Sequence, residues 1–267
     1  MIANLRKLVA AGATAGVLAS ASQAQTLPAV PADQTVNNVV LVHGAFVDGS
    51  GWRGVYDDLT ARGYRVRIVQ NPLTSLEDDV AATVRVIDNQ NGPVILVGHS
   101  WGGTVITEAG VHPNVAGLVY VAALVPDAGE TTARQYEDYP ASPEFVIEAS
   151  SDGFGIVRPD KFHAGFAADL SEADAAFLRD SQLPIRLSAF ETTLTNAAWR
   201  EKLSWAVIPD QDLAFGEGML LGMAQRAGAT IVEIPGSHAA FITQSAAVAE
   251  VIDGAARSLS PTANRNN

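Results

Sequence analysis

Short apolar runs that alternate with helical patterns are the feature that most constrains this chain of 267 residues. Nearly all of the runs are apolar throughout, which is typical of parallel strands covered on both faces. The alternation predicts an α/β fold with a mostly parallel, doubly wound sheet of about six strands and right-handed crossovers. The strand candidates are residues 39–42, 64–69, 94–97, 117–123, 203–208 and 230–234, and the helix candidates are residues 51–62, 76–90, 102–112, 218–227 and 244–259.

The alternation is interrupted between the fourth and fifth strand candidates, where we find no convincing strand. Clustered prolines and glycines are followed there by helix-like pieces at residues 171–182 and 184–194, the first opened by Ser171 with Asp174 three residues later. A structureless loop of this length is improbable in a compact domain. We therefore interpret residues 127–202 as an inserted helical cap that controls access to a site. The alternative is a set of extra helices at the side of the sheet.

The segment VILVGHSWGG, residues 94–103, places a serine directly after a buried strand and directly before a helix. Ser100 stands between Gly98 and Gly102 in a G-x-S-x-G pattern, which is typical of a strained strand-to-helix turn that admits only small neighbours. The turn lifts the Ser100 hydroxyl above the sheet edge. It also leaves the Trp101 amide at a helix N-terminus, free to bind a developing oxyanion. We expect Ser100 to be a nucleophile.

The loop after the first strand candidate reads His43-Gly44-Ala45-Phe46. Its glycine lets the backbone approach the serine turn. The Ala45 amide is then a candidate second oxyanion donor, with the Phe46 amide as the fallback. His43 stands at the strand end, where we favour a structural hydrogen bond over a catalytic role.

A serine nucleophile needs a base, and the chain has five histidines. His238 lies between the last strand candidate and the last helix, at the same sheet edge as Ser100, because parallel strands place their carboxyl ends together. We predict that His238 takes the Ser100 proton and delivers it to the leaving group. The remaining histidines are His43, His99 with its side chain directed away from Ser100, His112 at a helix end, and His163 in the cap, where it would be near substrate.

The carboxylate that orients this base is expected directly after the strand candidate 203–208. Asp210 and Asp212 both stand there. We prefer Asp212, because the apolar residues 213–215 would bury its far side, whereas Asp210 sits at the turn.

Taken together, these motifs resemble those of the α/β-hydrolase superfamily. The order Ser100, Asp212, His238, the GHSWGG turn and the GSHAAF loop are most similar to its small cofactor-free esterase branch, which is related to plant methyl-ester esterases and hydroxynitrile lyases. The resemblance covers about residues 39–259. It implies attack by Ser100, an acyl-enzyme and its hydrolysis, with the amides of Ala45 and Trp101 as the oxyanion hole. The superfamily's first two antiparallel strands have no counterpart, so we expect a sheet trimmed to six strands.

Aromatic residues near these motifs are candidates for an apolar substrate pocket, although aromatics serve equally often as core. We expect substrate contacts from Phe46, Trp52, Phe162 and Phe241, and Trp101 and Phe166 are further candidates.

Composition disfavours several other functions. The formal net charge of −12 repels phosphate backbones, so nucleic acid is not an expected partner. The absence of cysteine removes thiol nucleophiles and thiolate metal sites. There is no HExxH motif, no P-loop and no G-x-G-x-x-G after a strand. We therefore expect neither a metal nor a cofactor, and a small-molecule ester as the partner.

Two alternatives to carboxylic ester hydrolysis stay open. The same three residues would also serve lactone or amide hydrolysis, or cyanohydrin cleavage, in which Lys161 or Lys202 of the cap would help to discharge cyanide. The other alternative is a non-catalytic small-molecule receptor on the same fold. The natural substrate and the oligomeric state are left open.

The first residues are typical of an export signal. Arg6 and Lys7 precede an uncharged apolar stretch, and Ser22-Gln23-Ala24 is a small-x-small cleavage site. The apolar stretch is too short for a comfortable membrane span. We expect an exported, periplasmic or secreted, bacterial protein. The predicted organisation is a signal peptide at 1–24, an extended leader at 25–36, a core at 37–126 and 203–260, the cap at 127–202, and a flexible tail at 261–267.

Overall fold

The computed structural model describes residues 35–216 and 218–260. The predicted signal peptide, nearly all of the leader and the predicted tail lie outside these residues. The elements before the cap are β1 Asn38–Val42, α1 Arg53–Ala61, β2 Arg65–Val69, α2 Leu76–Asp88, β3 Val94–His99, α3 Trp101–Ala109 and β4 Val115–Val121. Those after it are β8 Leu203–Pro209, α6 Met219–Arg226, β9 Thr230–Ile234, α7 Ala240–Thr243 and α8 Ser245–Leu259.

These strands form one six-stranded sheet in the order β2-β1-β3-β4-β8-β9. Every neighbouring pair is parallel. The predicted α/β sheet of six strands is therefore confirmed. The chain first adds β2 to one side of β1 and then places β3 on its other side, so the strand order reverses between β1 and β3. In open parallel sheets this reversal point opens a crevice at the carboxyl ends of the strands.

Alternation along the strands divides the core into two layers. Val39 and Leu41 of β1 pack on one face with residues of α1 and α8. Val40 and Val42 face the other side, where α2, α3 and α6 cover the sheet together with the cap. Both faces of the central strands β1, β3 and β4 are buried because helices cover both, which is why these strands read as nearly continuous apolar runs.

The cap segment, residues 127–202, holds strands as well as helices. It contains α4 Pro159–Phe166 and α5 Glu172–Asp180, and an antiparallel three-stranded sheet of β5 Ile147–Ala149, β6 Phe154–Val157 and β7 Ile185–Arg186. The helix expected at 171–182 is confirmed as α5, with the Ser171 hydroxyl accepting the Asp174 N–H at 3.1 Å. The expectation of a strand-free segment and of a helix over 184–194 is wrong, because that piece forms β7 and a 3-10 helix, Leu187–Glu191.

Within residues 35–216 and 218–260, no helix has the length and apolar character needed to cross a membrane.

Candidate active site

Ser100 occupies a strained turn between β3 and α3. Its backbone has φ 53° and ψ −121°, a region that residues other than glycine rarely adopt. The turn is possible because its glycines let other backbone segments approach closely. A Cβ on Gly102 would lie 2.6 Å from the Val42 carbonyl oxygen, and one on Gly44 would lie 2.8 Å from the Ser100 Cβ. The loop after β1 therefore packs directly against the serine.

Backbone amides surround the serine from two sides. Trp101 is the first residue of α3, where N–H groups have no acceptor within the helix. Ala45 and Phe46 follow the close approach of Gly44, and Phe46 has a positive φ of 67°. All three residues line the same cavity as Ser100. This arrangement places two elements with available N–H groups beside one hydroxyl.

His238 and Asp212 form a buried pair on the adjacent strand ends. The His238 Nδ1 donates to Asp212 Oδ2 at 2.8 Å, and the two side chains are 0% and 3% exposed. Asp212 Oδ1 accepts the Ala214 N–H at 2.8 Å. Among the described residues the His238 Nε2 has no hydrogen-bond partner, and His238 lines the cavity that Ser100 also lines. With Nδ1 carrying the proton, Nε2 presents a free lone pair.

Asp210 has a different position. Its Oδ1 accepts the Gly236 N–H at 3.1 Å, which closes the loop that leads to His238. The structure thus brings Asp212, rather than Asp210, to the histidine. The expectation that residues 213–215 are all buried beside Asp212 is partly wrong, because Leu213 is 44% exposed and only Ala214 and Phe215 are buried.

Two further histidines hold the loops of the site in place. The His43 Nε2 accepts the Asn71 N–H at 2.9 Å and its Nδ1 donates to the Gly44 carbonyl at 2.8 Å, so His43 has the structural contacts that we favoured. His99 donates from Nε2 to the His238 carbonyl at 3.0 Å. Burial, reinforced by the neighbouring His238, holds the pKa of His99 well below its ordinary value, so this imidazole is neutral. No sequence pattern indicates the His99 contact, because its partner lies in a distant loop.

The cavity beside Ser100 has a volume of about 380 Å³. Its walls come from the strand ends and from the cap segment, and they are mainly apolar and aromatic. Of the described lining residues, Glu191 alone carries a carboxylate, and neither Lys161 nor Lys202 is among them. The principal lining side chains are Phe46, Trp101, Leu124, Tyr136, Phe145, Leu187, Phe190, Glu191, Phe215 and His238.

Of the four aromatic residues expected to bind substrate, the structure places only Phe46 in this lining. Trp52, Phe162 and Phe241 are fully buried in the core. Trp52 packs on Phe241 at 4.8 Å between ring centroids, and Phe162 stacks on Phe166 at 4.9 Å. The expectation is wrong for these three residues, because they face the packed helix layers and not the crevice. His163 is also absent from the lining, and its Nε2 is 3.2 Å from the Leu170 carbonyl.

Within the described part of the chain, no group of three or more histidine and carboxylate side chains could hold a metal ion. The site consists of a serine, a histidine–aspartate pair and backbone amides around an apolar cavity.

Comparisons with known proteins show which family the chain is similar to. The model of the alpha/beta hydrolase family matches residues 39–251. The chain is 26% identical over 243 residues to the alpha/beta hydrolase nvfD of Aspergillus novofumigatus, covering 82% of this chain and 96% of that one. It is 33% identical over 142 residues to a carbendazim hydrolyzing esterase of Nocardioides sp., covering 48% of this chain and 57% of the esterase. It therefore spans a little over half the length of that esterase.

A solved structure shares the fold at lower identity. A pyrethroid hydrolase from Sphingobium faniae JZ-2 superposes with a TM-score of 0.71 at 22% identity, covering 84% of this chain and 98% of that chain.

Proposed function

This chain belongs to the alpha/beta hydrolase family, and from that premise we propose that it hydrolyses carboxylic esters of small apolar substrates through an acyl-enzyme on Ser100. One observation carries the proposal. Ser100 and His238 line one cavity, the His238 Nε2 has no hydrogen-bond partner among the described residues, and Asp212 holds the other ring nitrogen of that histidine at 2.8 Å.

The proposed reaction has two halves, acylation of Ser100 and hydrolysis of the acyl-enzyme, and His238 and the oxyanion hole act in both. The Ser100 oxygen attacks the ester carbonyl carbon while His238 Nε2 takes the hydroxyl proton. The carbonyl oxygen becomes an oxyanion that accepts the N–H groups of Trp101 and Ala45, with Phe46 as the fallback for Ala45. The tetrahedral intermediate collapses as the alkoxide leaves with the proton from His238. Water then attacks the acyl-enzyme by the same steps, releasing the acid and restoring Ser100.

Asp212 serves as the orienting carboxylate in this scheme. Its contact with Nδ1 fixes the tautomer that leaves Nε2 able to accept a proton, and its negative charge stabilises the imidazolium that forms. The Asp212 carboxylate is 3% exposed, so solvent screens this interaction weakly.

The cavity weighs against one of the alternative chemistries and does not separate esters from lactones or amides. Cyanohydrin cleavage with help from a cap lysine is disfavoured, because Lys161 is paired with Glu144 at 3.0 Å and neither cap lysine is among the described lining residues. Lactone and amide hydrolysis would use the same three residues, so only activity measurements with different substrates can distinguish these reactions from ester hydrolysis. A receptor that only binds would not need the buried Asp212–His238 pair.

The test is a series of p-nitrophenyl esters of increasing acyl length, measured with the wild type and Ser100→Ala. The variant should lose turnover by several orders of magnitude, whereas Ser181→Ala, at an exposed serine on the cap, should match the wild type. A lactone and an anilide of the preferred acyl group separate the alternatives. Equal rates for the wild type and Ser100→Ala would overturn every serine-based reaction proposed here.

We also propose that residues 1–24 direct export, on the basis of the sequence pattern alone. Protein recovered from the native host should then begin near Gln25 when its intact mass is measured. A mature protein that retains Met1 would contradict this proposal.

A further inference from the structure

A carboxylate that the proposed reaction does not use lies buried behind the serine turn. Asp79, in the first turn of α2, has no exposed surface, unlike its neighbours Glu77 and Asp78. Burying a carboxylate is costly unless strong donors satisfy it. Burial raises the pKa of Asp79 to about 6, against the hydrogen bonds from Trp101 and Leu73. The exposed neighbours already complement the N-terminus of α2, so the helix itself does not require a buried acid.

The first donor to Asp79 belongs to the wall of the active-site cavity. The Trp101 indole donates from Nε1 to Asp79 Oδ2 at 2.7 Å, a buried hydrogen bond. Trp101 follows the nucleophile directly and lines the cavity. Its ring and that of Phe190, another lining residue from the cap segment, pack in a T-shaped arrangement with 5.3 Å between centroids.

The second donor connects Asp79 to the cap segment. The Leu73 N–H donates to Asp79 Oδ1 at 2.8 Å. Leu73 has a positive φ of 57°, and its carbonyl accepts the Arg186 N–H of β7 at 2.9 Å. One carboxylate thus links the residue after the nucleophile to the loop on which a cap strand rests.

We propose that Asp79 is a positioning residue of the active site: it holds the Trp101 indole against the Phe190 ring and so fixes the cavity wall that large substrates contact. This role rests on the proposed ester hydrolysis. A substrate that fills the cavity of about 380 Å³ contacts this wall extensively, whereas the smallest acyl group fills only part of the cavity and contacts less of the wall. Loss of the Asp79 contact therefore affects selectivity for size rather than the chemical step alone.

The kinetic test compares Asp79→Asn with Asp78→Asn, which removes one negative charge from an exposed neighbour. With a bulky aromatic ester, Asp79→Asn should lower kcat/KM by about 10-fold, mostly through KM, because the wall is misplaced. With p-nitrophenyl acetate the loss should stay below about 3-fold. Asp78→Asn should change neither value. An equal loss on both esters, or no loss, would overturn the positioning role.

A spectroscopic readout tests the contact independently of activity. The Trp101 indole N–H resonance, assigned by its absence in Trp101→Phe, should exchange slowly with solvent and should shift in Asp79→Asn but not in Asp78→Asn. If Asp79→Asn does not fold, the exchange rate in the wild type remains decisive. Rapid exchange of this proton in the wild type would overturn the proposal.

The experiments distinguish a failure of the proposed ester hydrolysis from a failure of the proposed role of Asp79. If the wild type shows no turnover that depends on Ser100 while the indole signature is as described, the ester hydrolysis is wrong and the active-site role of Asp79 is overturned with it. If turnover depends on Ser100 but the indole signature is missing, only the role of Asp79 is overturned.

Discussion

Asp79 makes the stability of this protein depend on pH in an unusual direction. Folding raises its pKa from 3.8 to about 6, chiefly through burial, so the folded state holds this proton more tightly than the unfolded state. Its contribution to the free energy of unfolding is therefore largest below the unfolded pKa and is lost as the pH rises through about 6. The cost of Asp79→Asn in unfolding free energy should shrink by about 1 kcal/mol between about pH 5.5 and about pH 8. Urea unfolding of both proteins at the two pH values measures this difference.

Two comparisons isolate the effect. Asp127, whose pKa is lowered by its hydrogen bond from Arg200, acts with the opposite sign, but it is common to the wild type and the variant and cancels. The cost of Asp78→Asn should change much less between the two pH values, because the pKa of Asp78 is lowered by a hydrogen bond from Thr74 and its charge makes only the smallest of the contributions to the raised pKa of Asp79. A cost of Asp79→Asn that stays constant or grows with pH would contradict the prediction.

The sequence predicts the polar residues of the candidate site because they directly follow strands. It does not predict which aromatic residues line the cavity. Ser100, Asp212 and His238 stand after β3, β8 and β9, and parallel strands bring such positions to one edge. Trp52 and Phe241 carry the same apolar signal as the lining residue Phe190, because burial in a core and exposure to an apolar cavity select the same residue types. Asp79 has a plain interpretation as a helix-start acid, and nothing local shows that its side chain turns inward.

The loop between β9 and α7 is fastened to the cap segment on either side of His238. The Phe166 carbonyl, at the end of α4, accepts the Ala239 N–H at 3.0 Å. The Ser237 hydroxyl lies 3.2 Å from the same carbonyl and also donates to the Asp169 carboxylate. The position of His238 therefore depends on an element of the cap as well as on its own strand.

Removal of the Ser237 hydroxyl should reveal this dependence. Ser237 is 2% exposed, so Ser237→Ala removes a hydrogen bond between a buried hydroxyl and the Asp169 carboxylate and should cost about 1 kcal/mol of unfolding free energy. Since the loop carries His238, kcat for a short ester should fall by about 10-fold with KM changed by less than about 3-fold. Ser258→Ala, which removes a hydroxyl bonded within α8, is the matched control and should leave kcat unchanged. Loss of stability without loss of kcat would refute a role of this contact in catalysis.

The main sheet can be predicted from the sequence, whereas the small sheet of the cap segment cannot. The six core strands have five to seven residues, and the central strands β1, β3 and β4 are buried along nearly their whole length, so they produce nearly continuous apolar runs. The edge strands β2 and β9 also carry exposed polar residues, yet each keeps enough β-branched residues to be recognised. Strand β7 has two residues, and its position is set by pairing with β6 and by the Leu73 carbonyl, far earlier in the chain. Such a short strand has no periodicity of its own. Only its tertiary contacts determine that this segment forms a strand and not a helix.

At the scale of the whole molecule, charge and cavity act in the same direction on substrates. The chain has 29 acidic and 17 basic residues, so its field repels anions over distances of about a Debye length. Inside that field, Glu191 is an exposed acidic residue in the lining of a cavity that is otherwise mainly apolar. A neutral ester is affected by neither. An ester with a carboxylate at the end of its acyl chain is repelled both by the field of the molecule and by Glu191.

Matched esters separate these two influences. We compare p-nitrophenyl esters whose acyl chains end in a methyl, a carboxylate or a trimethylammonium group, at ionic strengths of about 0.01 M and about 0.5 M. With rising salt, kcat/KM should increase for the anionic ester and decrease for the cationic one, each by about 3-fold, and stay constant for the neutral one. An equal response of all three esters would show that the field of the molecule has no part in selection.

The local share of this selection belongs to Glu191. Glu191→Gln should raise kcat/KM for the anionic ester by about 3-fold at low salt, because it removes a negative charge at the cavity itself. Glu233→Gln changes the net charge equally but lies on an exposed position of β9, outside the described lining. It should therefore reproduce only the smaller effect of the overall field. If both variants raise the value equally, selection against anions comes from the net charge, and Glu191 has no specific influence on which esters reach Ser100.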